Sequence, residues 1–166
     1  MATALLEAPR PLFVDFAVPT KRAESVPLSR RIARTTLSLW GIDLKHAVID
    51  DTIVVLSELV TNAHRHASCS GDAEVRIDLT AESLLRIAVH DHHPDKPKAL
   101  AAPYDDDSGG WGLFVVKQLV ERSGGTIVIP LDENGHGKTI CVEIPLVAEA
   151  FLTSSTTGSV EALAVR

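Results

Sequence analysis

Within SELVTNAHRHA, residues 57–67, Glu58, Asn62 and His66 recur every four residues, a spacing that stacks them on one face of a helix. A carboxylate and a carboxamide placed this way suit one chemistry. The carboxamide oxygen can enter a Mg²⁺ shell while the carboxylate orients or deprotonates a nearby water or hydroxyl. The same spacing also describes an ordinary solvated helix face, and spacing alone does not choose. Val89–His90–Asp91 ends an alternating apolar segment. A carboxylate there can accept a hydrogen bond from a ligand's exocyclic amine, or simply start a turn. GGWGL at 109–113 opens another apolar-periodic stretch. Its glycines let backbone amides approach an anion at a helix N-terminus, or serve only as a hinge.

Other motifs fail on inspection. No GxxxxGK[ST] is present, and no parallel βαβ unit surrounds the glycines, so neither a P-loop nor a dinucleotide fingerprint applies. GHGKT at 135–139 resembles a P-loop fragment, but its glycines open a strand, which predicts a hairpin loop. His64, His66, His90, His92 and His93 are close in sequence. On a helix, His64 and His66 point roughly 200° apart. No HExxH occurs, so a zinc site requires convergence in space. There is no GxSxG elbow, and Ser57 lies inside a helix, which argues against a serine hydrolase.

These residues need elements to position them. LFVDFAV at 12–18 largely alternates and Pro19 closes it, predicting a first strand. After Pro27, Ile32, Thr35 or Thr36, Leu39 and Trp40 recur at helical spacing until Gly41. Arg30, Arg31 and Arg34 mark the polar face of that helix, facing water or an acidic partner. The clearest helix runs from Lys45 to about Ala67, with Val48, Thr52, Val55 or Leu56, Leu59, Ala63 and Ala67 on its apolar side. AEVRIDLT (73–80) and LLRIAVHD (84–91) alternate about a short turn as an antiparallel hairpin. Residues 92–110 hold three prolines, an Asp run and no apolar period, a long loop of the kind that carries function. WGLFVVKQLVERSG is a helix with Leu113, Val116, Leu119 and Val120 inward; TIVIPL and KTICVEIPLV are the last two strands. This order predicts an α+β fold, a two-layer sandwich with helices on one face of a mostly antiparallel sheet.

A length of 166 residues predicts one domain; its expected span is 12–147, between a flexible arm at 1–11 and a disordered or weakly helical tail at 148–166. With aromatics at 4 %, Leu, Val, Ile and Ala must fill the core. Sixteen basic against 22 acidic residues leave a net charge of −6, which argues against direct nucleic-acid binding but not against a bound nucleotide. Two cysteines, Cys69 and Cys141, are too few for a disulfide scaffold. The N-terminus lacks a signal-peptide pattern and no apolar run is long enough to span a bilayer, so a cytoplasmic protein is expected.

Three of these signals fall in one order: ELVTNAHRHA on the long helix, VHD at a strand end, and GGWGLFVVKQLVERSG followed by GHGKTICVEIPL. Together they resemble the Bergerat-fold ATP-binding superfamily, and within it the short anti-sigma-factor serine kinases and their actinobacterial relatives, across roughly residues 12–147. The resemblance implies that Asn62 binds the nucleotide's Mg²⁺ and that Glu58 activates the attacking hydroxyl or water. It implies that Asp91 receives the adenine amino group, that Gly110 and Gly112, with Leu113, belong to the phosphate side, and that Thr139 helps close the adenine pocket. Arg65 and His66 take polar positions next to the phosphates, and the loop at 92–110 becomes an ATP lid. The implied function is a Mg-ATP-dependent serine/threonine kinase acting on a STAS-type anti-sigma-factor antagonist and binding a sigma factor, with a homodimer allowed.

Two departures bear on that expectation. Where many relatives have Asp-x-Gly-x-Gly, this chain has Asp91–His92–His93–Pro94–Asp95, and Trp111 stands where a basic residue is common. His93 narrows or reshapes the pocket, and loss of a cation weakens ATP. The alternative is therefore a non-catalytic or weakly nucleotide-binding module that sequesters a partner. The catalytic piece of a sensor histidine kinase would need a dimerisation helix pair, which residues 1–45 do not resemble.

Overall fold

Alternating side chains make five strands, and each turns its apolar row the same way. A computed structural model of the chain describes residues 11–67, 71–93 and 111–152. Strand β1 is Leu12–Pro19, β2 Asp72–Leu79, β3 Leu84–Asp91, β4 Thr126–Val128 and β5 Lys138–Pro145. They form one sheet in the order β1-β2-β3-β5-β4, and every neighbouring pair is antiparallel. Helices α1 (Ser25–Leu39), α2 (Ala47–His66) and α3 (Trp111–Arg122) cover one face, with α2 between the other two. The architecture is the expected two-layer α+β sandwich.

The core lies between the layers. Val75, Ile77, Leu85, Ile87, Val89, Ile140, Val142 and Ile144 point inward and pack with Leu56, Leu59, Val60, Val116 and Val120, all essentially inaccessible to solvent. The opposite face of the sheet is polar and laced with ion pairs. Arg86 reaches Glu143 at 2.7 Å and Asp78 at 3.4 Å, and Arg76 reaches Asp15 at 3.3 Å while lying over the Phe13 ring. One residue's parity on a strand therefore decides whether it meets the helices or the open face.

Several local expectations change. The first helix begins at Ser25, with Pro27 in its first turn, where a missing N–H costs no hydrogen bond. Its buried stripe is Ser25, Ser29, Ala33 and Leu37 rather than the Ile32–Thr36–Leu39 row, and Leu39 is 81 % exposed. Small side chains let this helix approach closely, and the serine hydroxyls are satisfied locally: Ser29 donates to the Ser25 carbonyl at 2.8 Å and Ser25 to the Pro19 carbonyl at 2.7 Å. The TIVIPL strand shortens to Thr126–Val128. At the C-terminal side, Ala148–Ala150 form a 3₁₀ turn with Ala150 buried, and Phe151 bridges to Ile42, so packed chain extends past residue 147. Residues 1–10 of the expected arm, 153–166 of the expected tail and 94–110 of the expected lid, including Gly110, lie outside the described residues. No helix among the described residues is long and apolar enough to cross a membrane.

Candidate functional site

Helices α2 and α3 run antiparallel, fastened at one end by Arg122, whose Nη2 contacts both carboxylate oxygens of Asp51 at 2.7 Å. Two helical turns along the same face of α2, Glu58 meets the start of α3. A Cβ on Gly112 would fall 2.2 Å from Oε2 of Glu58, so the absence of a side chain at 112 is what lets the carboxylate occupy that gap. One further turn along, Asn62 is 8 % exposed. Its carboxamide hydrogen-bonds to none of the described residues. A buried amide without hydrogen-bond partners among the described residues, one turn from a carboxylate that meets a helix N-terminus, is an arrangement open to a ligand carrying metal and anionic oxygens. Leu113, at 4 % exposure, packs into the core directly behind Gly112.

The other end is built by the sheet. Asp91 closes β3 with 1 % exposure, on the helix-facing side. Opposite it in the β3–β5 register stands Lys138, also 1 % exposed. Lys138 Nζ donates to Asp91 Oδ1 at 2.8 Å and to the His93 carbonyl at 3.0 Å. The His93 backbone N–H donates to the same carboxylate oxygen at 2.9 Å. Oδ1 is thus claimed twice from within the chain, by a buried ammonium and by an amide two residues on. A full ion pair in the interior is tolerated only because each charge meets its opposite and further hydrogen bonds are made.

His66 joins the two ends. Its pKa is lowered from the ordinary 6.5, first by partial burial and then by the neighbouring charges of His93, Lys138 and Arg65, with Asp91 opposing. Those neighbours associate His66 with the Asp91 end, although the motif resemblance puts it beside phosphates. Arg65 is exposed. Thr139 has the opposite parity from Lys138 on β5; it pairs with His90 and lines a groove on the polar face of the sheet. It therefore does not share a face with Asp91. Of the arginines on α1, Arg30 Nε donates to Ser57 Oγ at 2.7 Å and Arg34 to Asp50 at 3.1 Å, both tying α1 to α2, while Arg31 is exposed. Trp111 is 54 % exposed and meets Phe114 edge to face.

Lys138 is the residue that motif reading passes over. Its signal lies in strand parity: Ile140, Val142 and Ile144 are the inward row of β5, and Lys138 continues it by two. A lysine on the apolar row must find a buried anion, and the strand-end Asp91 is the only one in register.

A sequence profile of the family described as histidine kinase-, DNA gyrase B- and HSP90-like ATPase matches residues 47–148. The probable C4-dicarboxylate sensor kinase of Bacillus subtilis (strain 168) is 27 % identical over 116 residues, covering 63 % of this chain. The chain spans only 22 % of that kinase's length. Among solved structures, the RsbU and RsbW domains of Rv1364c from Mycobacterium tuberculosis superpose with a TM-score of 0.57 at 22 % identity, over 88 % of this chain and 35 % of that one. The SiaB–SiaC complex from Pseudomonas aeruginosa gives a TM-score of 0.55 at 14 % identity, over 79 % of this chain and 87 % of the matched one. At these identities the structural likeness is one of fold.

Proposed function

The chain belongs to the histidine kinase-, DNA gyrase B- and HSP90-like ATPase family, and from that premise we propose that its histidine-kinase-like ATP-binding domain is a serine/threonine protein kinase of the anti-sigma-factor type. The observation that carries this reading is the α2–α3 gap, where Glu58 meets the start of α3 at a glycine, with the buried Asn62 one turn further along the same face of α2. Mg-ATP would supply the phosphoryl group and the metal that neutralises its charge. The Asn62 carboxamide oxygen would hold that metal. Glu58 would accept the proton of the incoming serine hydroxyl on a carboxylate oxygen, and the backbone amides opening α3 would face developing negative charge. The partner half of the reading, a sigma factor and a STAS-type antagonist, rests on the motif resemblance and on the fold shared with the RsbW-containing Rv1364c structure.

The Lys138–Asp91 pair supports a second reading. An adenine amine seeking Asp91 must compete with an ammonium 2.8 Å away and with the His93 amide. A site so engaged favours a weakly nucleotide-binding module that holds a partner without turnover. Calorimetric titration with ATP and ADP, with and without Mg²⁺, separates the two. The kinase reading expects Mg²⁺-dependent binding that Asn62→Ala weakens at least tenfold. Absence of binding at millimolar nucleotide would overturn it and leave the partner-holding module.

A further inference from the structure

On the open face of the sheet, behind Asp91, we propose a binding site for a divalent transition-metal ion formed by His90, His92 and Asp132. This inference goes beyond the nucleotide reading and does not depend on it. His90 and His92 flank Asp91, and residues two apart at the end of a strand project to the same side. Asp132 arrives from the loop between β4 and β5. His90 Nε2 lies 3.0 and 3.2 Å from the two Asp132 oxygens. One ligand atom from each of the three residues lies within 4.8 Å of the others.

Three features point to a ligand rather than to an incidental ion pair. Nδ1 of His90 is buried and has no hydrogen-bond partner among the described residues, so apart from an edge contact with His92 the ring is held through Nε2. Nε2 is therefore the ligand atom that this ring presents, on the side where Asp132 stands. Gly137 keeps the cluster closed: a Cβ there would fall 2.4 Å from Asp132 Oδ2 and 3.0 Å from His90 Nε2. No positive φ is recorded at Gly137, so the glycine supplies space here rather than an unusual backbone. The third feature is access. His92 is exposed, so the cluster is open to solvent, and His90 also lines a groove of about 610 Å³ on this face, bordered by Asp15, Glu74, Arg76 and Thr139.

The donor set selects the metal. Two imidazoles and one carboxylate suit Zn²⁺, Co²⁺ or Ni²⁺, whereas Mg²⁺ prefers oxygen alone. Metal–nitrogen bonds near 2.0–2.1 Å place tetrahedral ligands about 3.3 Å apart. His90 and Asp132 already stand at that separation, and the exposed His92 ring, whose centroid is 4.9 Å from that of His90, has only to swing inward. The ion would sit across the sheet from Glu58 and Asn62, distinct from the metal of the proposed kinase reaction. It would tie the end of β3, which carries Asp91, to the β4–β5 loop, which leads into Lys138.

The test uses the whole chain and the metal alone. Co²⁺ is titrated while its visible d–d absorption is followed, then displaced with Zn²⁺, and Zn²⁺ affinity is measured by calorimetry with Mg²⁺ as the hard-cation control. One equivalent of Co²⁺ should develop d–d bands that Zn²⁺ abolishes and Mg²⁺ leaves unchanged. His92→Ala, at an exposed position outside the core, and Asp132→Asn should each weaken Zn²⁺ binding tenfold or more. Bands that persist unchanged in His92→Ala would move the metal to other histidines and overturn the assignment. Absence of bands at millimolar Co²⁺ would overturn it equally.

Discussion

On the α2–α3 side of the candidate site, Glu58 and Asn62 share a face because an α-helix returns to the same direction every 3.6 residues. At the β3–β5 end, Asp91, Lys138 and His93 meet because two strands far apart in sequence pair in one register. The first group is local in origin and keeps a carboxylate and an amide free of bonds to described neighbours. The second is non-local and internally engaged, one of its carboxylate oxygens already holding an ammonium and an amide. The contrast teaches how differently the two ends are built. The helix end leaves its carboxylate and amide open, while the strand end carries a buried ion pair.

The same lesson appears in the two His-x-His triplets. His64–Arg65–His66 lies on α2, so its rings diverge: His64 Nδ1 contacts the Thr20 carbonyl, and His66 sits near His93 and Lys138. His90–Asp91–His92 lies at a strand end, and its histidines turn to one side while the residue between them turns inward. Identical spacing therefore has opposite consequences under periods of 3.6 and 2.

If the α2–α3 side does the chemistry, Glu58→Gln should lower phosphoryl transfer about 10²–10⁴-fold. Nucleotide affinity by calorimetry should change far less than turnover, and an equal loss in both would remove Glu58 from the role of base. The opposite end is sharpened by stability. Lys138→Met leaves a buried carboxylate unpaired and should cost about 3–5 kcal/mol in denaturant unfolding. Adding Asp91→Leu should restore most of that loss, because apolar pairs replace buried ion pairs well; a double variant as unstable as the single would show that the charges are not what matters.

Gly112→Ala probes the junction between chemistry and packing. A methyl group at that position must displace the Glu58 carboxylate, so turnover should fall on the order of 10²-fold. The displaced group is the end of a flexible side chain, and the melting temperature should move little. The smallest effect concerns His66. Its lowered pKa means that, as pH falls through 6.5, the unfolded chain takes up a proton that the folded chain resists, so stability declines on the acid side. NMR titration should place its midpoint below 6.5, and His93→Asn should raise it; an unchanged midpoint would remove His93 as a cause.

Periodicity made much of this molecule readable in one dimension. The run from Val48 to Ala67 predicted α2 and put Glu58, Asn62 and His66 in line, and the alternation of 73–80 and 84–91 predicted the central hairpin. The stripe of α1 escapes an apolar period because three of its four buried residues are serine and alanine, whose burial follows from close packing rather than from hydrophobicity. Parity along β5 already placed Lys138 on the inward row, but its partner was invisible until β5 paired with β3 in the register that sets Asp91 against it. The same pairing, with the loop that carries Asp132, brought His90 its neighbour across 42 residues of chain. Which residues share a face is a property of local repeat, written in the order of the amino acids. Which faces meet depends on how separated segments bury one core together, and that is where the Asp91–Lys138 pair, the His90–Asp132 contact and the fit of Glu58 against Gly112 arise.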